Sequence, residues 1–290
     1  MKSKLVIGTA NFGQRYGISK KKTKLSFNNI KKILNYANKH DVKKLDTATV
    51  YGNTEKILGK LNLKKNEIYT KLPKLPKNCR NISQWVFKNI KNSSSLIKTK
   101  KINGIFLHHA EDLLSENKRK LYVALQEVKK KGLVEKIGVS IYSFKTLEKI
   151  LKEFKFDIVQ IPFNIFDRRL EHFKFFNKLK KKKIEIYVRS IFLKGALLLK
   201  EKKVSKNFYK WKSLFKLWNS WLADNKVTNL QACINYVFSF KEVDKIIIGV
   251  NSLKQTKEIF NAVENKTNLF PKNLFSNDEN LINPNKWKKK

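Results

Sequence analysis

The sequence predicts a (β/α)8 barrel, the TIM-barrel class of α/β fold, in a single domain. Short stretches rich in Val and Ile alternate with helical patterns along the whole chain, and eight such stretches are the number that closes a parallel barrel. They read as near-continuous apolar runs, as strands covered on both faces must. The competing open, doubly wound sheet loses its usual dinucleotide fingerprint, because no GxGxxG occurs among the ten glycines. A length of 290 residues suits one barrel domain.

The first strand is Leu5 to Ala10 (LVIGTA), followed by Asn11, Gly13 and Gly17, which mark a long loop. Ser26 and Asn28 are placed to cap a helix whose apolar positions Ile30, Ile33, Leu34 and Ala37 recur at helical spacing. Lys43 to Asp46 is the second strand. Asn53 or Thr54 caps a helix from Glu55 to Leu61, and Glu67 to Leu72 is the third strand, stopped by Pro73 and Pro76. A helix over Ile82 to Ile97 precedes the fourth strand, Ile102 to His108. Ser115 starts a helix that reaches Lys131, with Gly132 ending it.

Val134 to Ser140 is the fifth strand, Lys145 to Phe154 a helix, Asp157 to Ile161 the sixth strand, Leu170 to Lys181 a helix, and Ile184 to Ser190 the seventh strand. Asn207 to Phe240 is long enough for two helices broken near Asn225. Lys245 to Gly249 is the eighth strand, and Leu253 to Val263 the closing helix. The barrel domain is expected over 1–264. The tail, 265–290, with Pro271, Pro284 and many Asn, is expected to be irregular and to lie over one mouth of the barrel.

Composition bounds the partners. Lys and Arg number 64 against 23 Asp and Glu, a formal charge of +41. Such a charge favours nucleic acid, membrane or acidic ligands when it is concentrated. Here lysines run from Lys2 to Lys290, mixed with Asn and Ile, which is what solvated helix faces from an A+T-rich genome look like. No nucleic-acid partner is expected. No apolar run approaches the roughly 18 residues of a membrane helix. Two distant cysteines, Cys79 and Cys233, form no disulfide framework, so the cytoplasm is the expected location. Oligomeric state is left open.

In such a barrel the C-terminal strand ends carry the active site. The polar residues falling there are Asp46, Lys71, His108, Ser140, Gln160, Arg189 and Gly249, with Tyr51 just beyond the second strand. No metal is expected, since adjacent His108 and His109 point to opposite faces of a strand. Neither a GxSxG elbow nor a paired-Cys motif occurs. A phenol ordinarily holds its proton to a pKa of about 10, and an ammonium a few Å away lowers this. Lys71 is expected to do so for Tyr51, Asp46 to hold the ammonium, and His108 to hydrogen-bond a substrate oxygen.

These residues resemble the aldo-keto reductase family. Its pattern of an Asp, a Tyr in a DxxxxYG(N)xE-type segment, a third-strand Lys and a fourth-strand His matches Asp46, Tyr51, Lys71 and His108. Supporting segments are IGTANFG, IFLHHAED, GVSIYS, QIPFNIFDRR, RSIFLKGAL and IIIGV, in order over nearly the whole chain. The resemblance implies a (β/α)8 barrel in which NADPH or NADH gives hydride to the carbonyl of a small aldehyde, ketone or sugar-derived metabolite while Tyr51 protonates the oxygen. The alternative it also implies is a cofactor-binding regulatory protein with vestigial reductase activity.

The resemblance further places Ser140 and Gln160 on the nicotinamide carboxamide and Arg189, with Ser190, beside the ring where many members have an aromatic. Ile141 stands where Asn commonly follows this Ser. Gly249, Ser252 and Gln255 fall at the phosphates, Ser252 and Gln255 forming a capping box at a helix start, where free N–H groups attract anions. Gln255 replaces an arginine and Gly249 a lysine that some members use for the 2′-phosphate, so the cofactor is NADP(H) or NAD(H). Phe12, Tyr16 and Phe192 line either the substrate pocket or the core.

Overall fold

The computed structural model describes residues 1–14, 25–172, 174–199, 206–263 and 270–287; Tyr16, Gly17 and Asn265 lie outside these. Eight strands form a closed ring: β1 (Leu5–Gly8), β2 (Lys44–Asp46), β3 (Glu67–Leu72), β4 (Ile102–Leu107), β5 (Val134–Ser140), β6 (Ile158–Pro162), β7 (Glu185–Arg189) and β8 (Lys245–Gly249). Each pairs in parallel with its neighbours in sequence, and β1 pairs with β8, Leu5 opposite Ile246 and Gly8 opposite Gly249. The protein is a single-domain (β/α)8 barrel.

Successive strand side chains point to opposite faces, so each strand feeds two cores. Leu5, Ile7, Leu45, Ile105, Leu107, Val159, Ile161, Ile186, Val188, Ile246 and Ile248 join the large core between sheet and helices. The alternate residues Val6, Tyr69, Phe106, Ile158, Tyr187 and Ile247 form a separate cluster inside the barrel. Tyr187 lies 5.3 Å from Tyr69 and 6.0 Å from Phe106, ring centre to ring centre. This is an apolar floor. Two residues before it, at the N-terminal mouth, Glu67 and Glu185 pair with Lys44 and Lys136. Two residues after it come Lys71, His108, Gln160, Arg189 and Gly249. Period two therefore writes a charged base, an apolar floor and a polar mouth into the same strands.

Room for the large floor residues comes from glycine. A Cβ at Gly104 would lie 2.4 Å from the Tyr69 ring, and one at Gly138 would lie 2.2 Å from the Ile158 carbonyl oxygen.

The helices follow the apolar periodicity, with local corrections. Ser26 caps Phe27–Lys39 by accepting from the Asn29 amide. The helix expected from Glu55 to Leu61 spans Thr54–Leu58 and ends at Gly59, whose missing Cβ would lie 1.9 Å from the Leu96 carbonyl oxygen. Between His109 and Ser115 the chain makes a 3-10 turn, Ala110–Leu114, so the helix expected from Ser115 begins at Lys118. The helix expected from Leu170 to Lys181 is two pieces, Arg169–His172 and Phe175–Lys181, separated at Lys174 by a left-handed backbone (φ 53). The helices expected between Asn207 and Phe240 are Lys212–Asp224 and Asn229–Phe238, the first ending at Asn225.

The described tail, 270–287, is not wholly irregular. Glu279–Ile282 makes one helical turn capped by the Asp278 side chain, and Leu274, Leu281 and Ile282 are buried. Its Ser276 amide donates to the Phe166 carbonyl, in the loop after β6. Asp278 accepts from Lys210 Nζ (2.9 Å) and Trp211 Nε1 (3.2 Å), in the connection after β7.

The Gly138 contact is with backbone, which cannot rotate away. Gly138→Ala is expected to destabilise the fold by about 1–3 kcal/mol, as overpacking does. A melting curve would record this as a fall of several degrees, and an unchanged midpoint would contradict the close approach.

Candidate active site

The loop after β2 is fixed before any ligand is considered. Thr47 N donates to the Tyr69 carbonyl (2.8 Å), Thr49 Oγ1 to the Lys71 carbonyl (3.1 Å) and Tyr51 N to the Ala48 carbonyl (3.0 Å). Thr54 Oγ1 then donates back to the Tyr51 carbonyl (2.7 Å). Gly52 takes the left-handed turn (φ 58), and Gly13 packs so closely that a Cβ there would lie 2.5 Å from Tyr51 O. Tyr51 is thereby held over the ends of β2 and β3.

Beneath it, Asp46 and Lys71 are both buried, Lys71 at 1 % exposure. Lys71 Nζ donates to both Asp46 carboxylate oxygens at 2.7 Å and to the Thr47 carbonyl at 2.8 Å. An ammonium has three protons, and all three are placed. Asp46 Oδ1 also accepts from Gln160 Nε2 at 2.7 Å. The Lys71 ammonium sits 5.2 Å from the centre of the Tyr51 ring, against its face.

This arrangement corrects one expectation. Tyr51 holds its proton more tightly than an ordinary phenol, because burial disfavours the phenolate and the Asp46 carboxylate adds to that, with Arg189 pulling the other way. The net shift is thus opposite to the lowering expected from Lys71. Lys71 itself is shifted down by burial, against the upward pull of Asp46.

His108 meets Tyr51 edge to face, ring centres 6.1 Å apart. Its Nδ1 is buried with no hydrogen-bond partner among the described residues. Burial, with the positive charges of Lys71, Arg189 and His109, lowers its pKa to about 3. His108 is therefore neutral near pH 7. His109 is exposed beside it.

The remaining residues expected at the site are brought to the same mouth. Ser140 Oγ lies 3.3 Å from Gln160 Oε1, donating to it, and Gln160 is wholly buried. Arg189 Nη2 donates to the Ile141 carbonyl (3.0 Å) and Nη1 to Ser190 Oγ (3.3 Å), with the guanidinium 4.0 Å above the Tyr142 ring. Ser190 has a left-handed backbone (φ 60), and its carbonyl accepts from Asn164 Nδ2 (3.0 Å).

After β8, Ser252 Oγ caps the helix Leu253–Ala262 by accepting from Gln255 N (3.0 Å). Only half of the expected capping box forms: Gln255 Oε1 accepts from Asn251 N (2.7 Å), one residue before the cap. Gly249 is exposed at the strand end, 3.9 Å from Asn11 Nδ2 if given a Cβ. Phe12 and Phe192 are buried in the outer core.

Three residues at this mouth were not singled out by the sequence. Asn11 donates to Asn251 Oδ1 (2.6 Å) and the Val250 carbonyl (3.3 Å), tying the loop after β1 to that after β8, while its Oδ1 is buried without a partner. Tyr142 lies under Arg189. Asn164, wholly buried, accepts from the Phe166 and Asp167 amides and braces Ser190. All three lie within or next to segments that carried the resemblance, but nothing in their spacing set them apart from loop residues.

The depressed His108 pKa has a defined sign. Between about 3 and the ordinary 6.5 the unfolded chain binds a proton that the folded chain refuses, so stability rises with pH there. Urea midpoints are expected to fall as pH drops from 6.5 toward 4, and to fall less steeply in His108→Gln. Equal slopes would contradict a histidine held neutral by burial.

The comparisons with known proteins follow this geometry. Residues 4–271 match the model of the Aldo/keto reductase family. Among solved structures, the holo form of an aldo-keto reductase from Bacillus halodurans superposes with a TM-score of 0.71 at 20 % identity, covering 92 % of this chain and 88 % of that one. Its apo form gives 0.69 at 19 % identity, with 84 % of each chain covered. No curated protein sequence matches. A family match over 4–271 and a closed eight-stranded barrel agree, and the chain belongs to the aldo/keto reductase family.

Proposed function

We propose that the protein is an NAD(P)H-dependent reductase of a small aldehyde, ketone or sugar-derived carbonyl, with Tyr51 as the general acid. The observation that carries this is a protonated phenol fixed above the buried Asp46–Lys71 pair with the neutral His108 edge-on beside it.

A carbonyl becomes an alcohol when hydride reaches carbon and a proton reaches oxygen. Bound NAD(P)H supplies the hydride. Tyr51 delivers the proton: its O–H bond breaks as the new O–H bond forms on the substrate. His108, kept uncharged, hydrogen-bonds the substrate oxygen and orients it without competing as an acid. The phenolate left on Tyr51 lies against the Lys71 ammonium and within the field of Arg189, and the latter favours that charge. Asp46 holds the ammonium in place throughout.

The residues present fit a nicotinamide coenzyme. Ser140 and Gln160 are the amide-binding candidates; one Gln160 N–H is occupied by Asp46, and the other remains for a ligand. Arg189 and Ser190 flank them. Gly249, Ser252 and Gln255 border the N-terminus of Leu253–Ala262, whose free N–H groups suit phosphate. The orphaned Asn11 Oδ1 lies at the same border. Gln255 spends its side-chain oxygen on Asn251 and brings no charge to a 2′-phosphate, so either NAD(H) or NADP(H) is accommodated.

Tyr51→Phe removes only the proton donor. Its kcat on any accepted carbonyl is expected to fall about 10²- to 10⁴-fold, with coenzyme affinity, read by quenching of nicotinamide fluorescence, unchanged. Full turnover in this variant would remove the acid role. Tight coenzyme binding without turnover of any carbonyl by the unmodified protein would point instead to a regulatory coenzyme binder.

A further inference from the structure

We propose that Arg189 selects substrates carrying a carboxylate or phosphate near the reacting carbonyl; this rests on the reductase reading above.

The argument is one of charge and of unused donors. At the mouth, Lys71 is cancelled by Asp46, and Asp167 is closed by Arg169, whose Nε and Nη2 donate to its two oxygens at 2.8 Å. Tyr51 and His108 are both neutral near pH 7. Arg189 is left as a strand-end cation that forms no ion pair with the described residues. Its charge is felt across the site: it contributes to the proton affinities of Tyr51, Lys71 and His108.

The guanidinium is also held still. Contacts to the Ile141 carbonyl, Ser190 Oγ and the Tyr142 face fix its plane. Of its five N–H donors the described residues take two, which leaves three toward a ligand. A planar fork with free N–H groups matches the paired oxygens of carboxylate or phosphate, and because it is already ordered, little side-chain freedom is lost on binding. It faces the barrel interior two residues beyond Tyr187, in the layer that holds Lys71 and His108. An anionic group on the substrate would therefore be anchored in the same layer as the proton donor's support. The coenzyme's own phosphates have the same chemistry, and the experiment separates the two sources.

The measurement is kcat/KM for matched pairs: glyoxylate, succinic semialdehyde and 4-carboxybenzaldehyde, each against its neutral carboxamide, and glyceraldehyde 3-phosphate against glyceraldehyde. The anionic member of at least one pair is expected to be preferred about 10- to 100-fold, the size of a charge-assisted hydrogen bond. Arg189→Met should bring that ratio to within about threefold of unity, mainly through KM, with Arg189→Lys keeping part of it. Coenzyme dissociation constants are measured alongside, because Arg189 also borders the coenzyme site, and any change in them should act equally on both members of a pair.

A wild-type ratio near unity for every pair would overturn the inference and leave the reductase standing. A preserved ratio in Arg189→Met with weakened coenzyme binding would assign the cation to the coenzyme's phosphates and also overturn it. Turnover of none of these carbonyls with either coenzyme would remove both readings. Arg189→Gln, which keeps a polar side chain without the charge, serves as the test variant if the methionine protein does not fold, and must likewise lose the preference.

Discussion

The site depends on one buried ion pair, Asp46 with Lys71. Removing two charges from water costs several kcal/mol each, and attraction alone does not restore that cost unless the remaining protons and lone pairs are satisfied. Here they are: the ammonium has three acceptors, and the carboxylate also takes Gln160. The pair spans β2 and β3, and Gln160 brings in β6 from across the barrel. Three strand ends are thus registered to one another by charge as well as by backbone pairing. Burial holds the proton on Tyr51 and keeps His108 neutral, the Asp46 carboxylate adding to the first and the Lys71 and Arg189 charges to the second.

That pair can be buried because of what lies below it. Tyr69, Phe106 and Tyr187 fill the barrel interior, and glycines at 104 and 138 make space for them and for the close approach of β6. Water is kept from the floor, and the ionic pairs at the base, Lys44 with Glu67 and Lys136 with Glu185, are separated from the mouth. The same alternation that makes a strand two-faced therefore insulates two charged layers from each other.

Much of this was legible in the sequence because it follows from period and position. Strand identity came from apolar runs, and residues at strand ends had to meet once the ring closed; Asp46, Lys71, His108, Gln160 and Arg189 needed no contact information to be grouped. What was not legible depended on contacts between distant segments. The halt of a helix at Gly59 is set by the Leu96 carbonyl, 37 residues on. Gln255 accepts from the Asn251 amide rather than completing its capping box. The sign of the Tyr51 shift was misread for the same reason: proximity of Lys71 was inferable, but not how deeply the phenol would be buried or how near the Asp46 carboxylate would stand.

The central claim, that Tyr51, buried above the Asp46–Lys71 pair, holds its proton firmly, is tested most directly by titrating Tyr51 itself. With tyrosine carrying 13C at Cζ, the Tyr51 resonance, assigned by its absence in Tyr51→Phe, can be followed with pH in the coenzyme-free protein. The account predicts that it shows no ionisation up to pH 10, the ordinary phenol value. Ionisation well below that value would contradict it, and would mean that Lys71 acts on the phenol as a free cation.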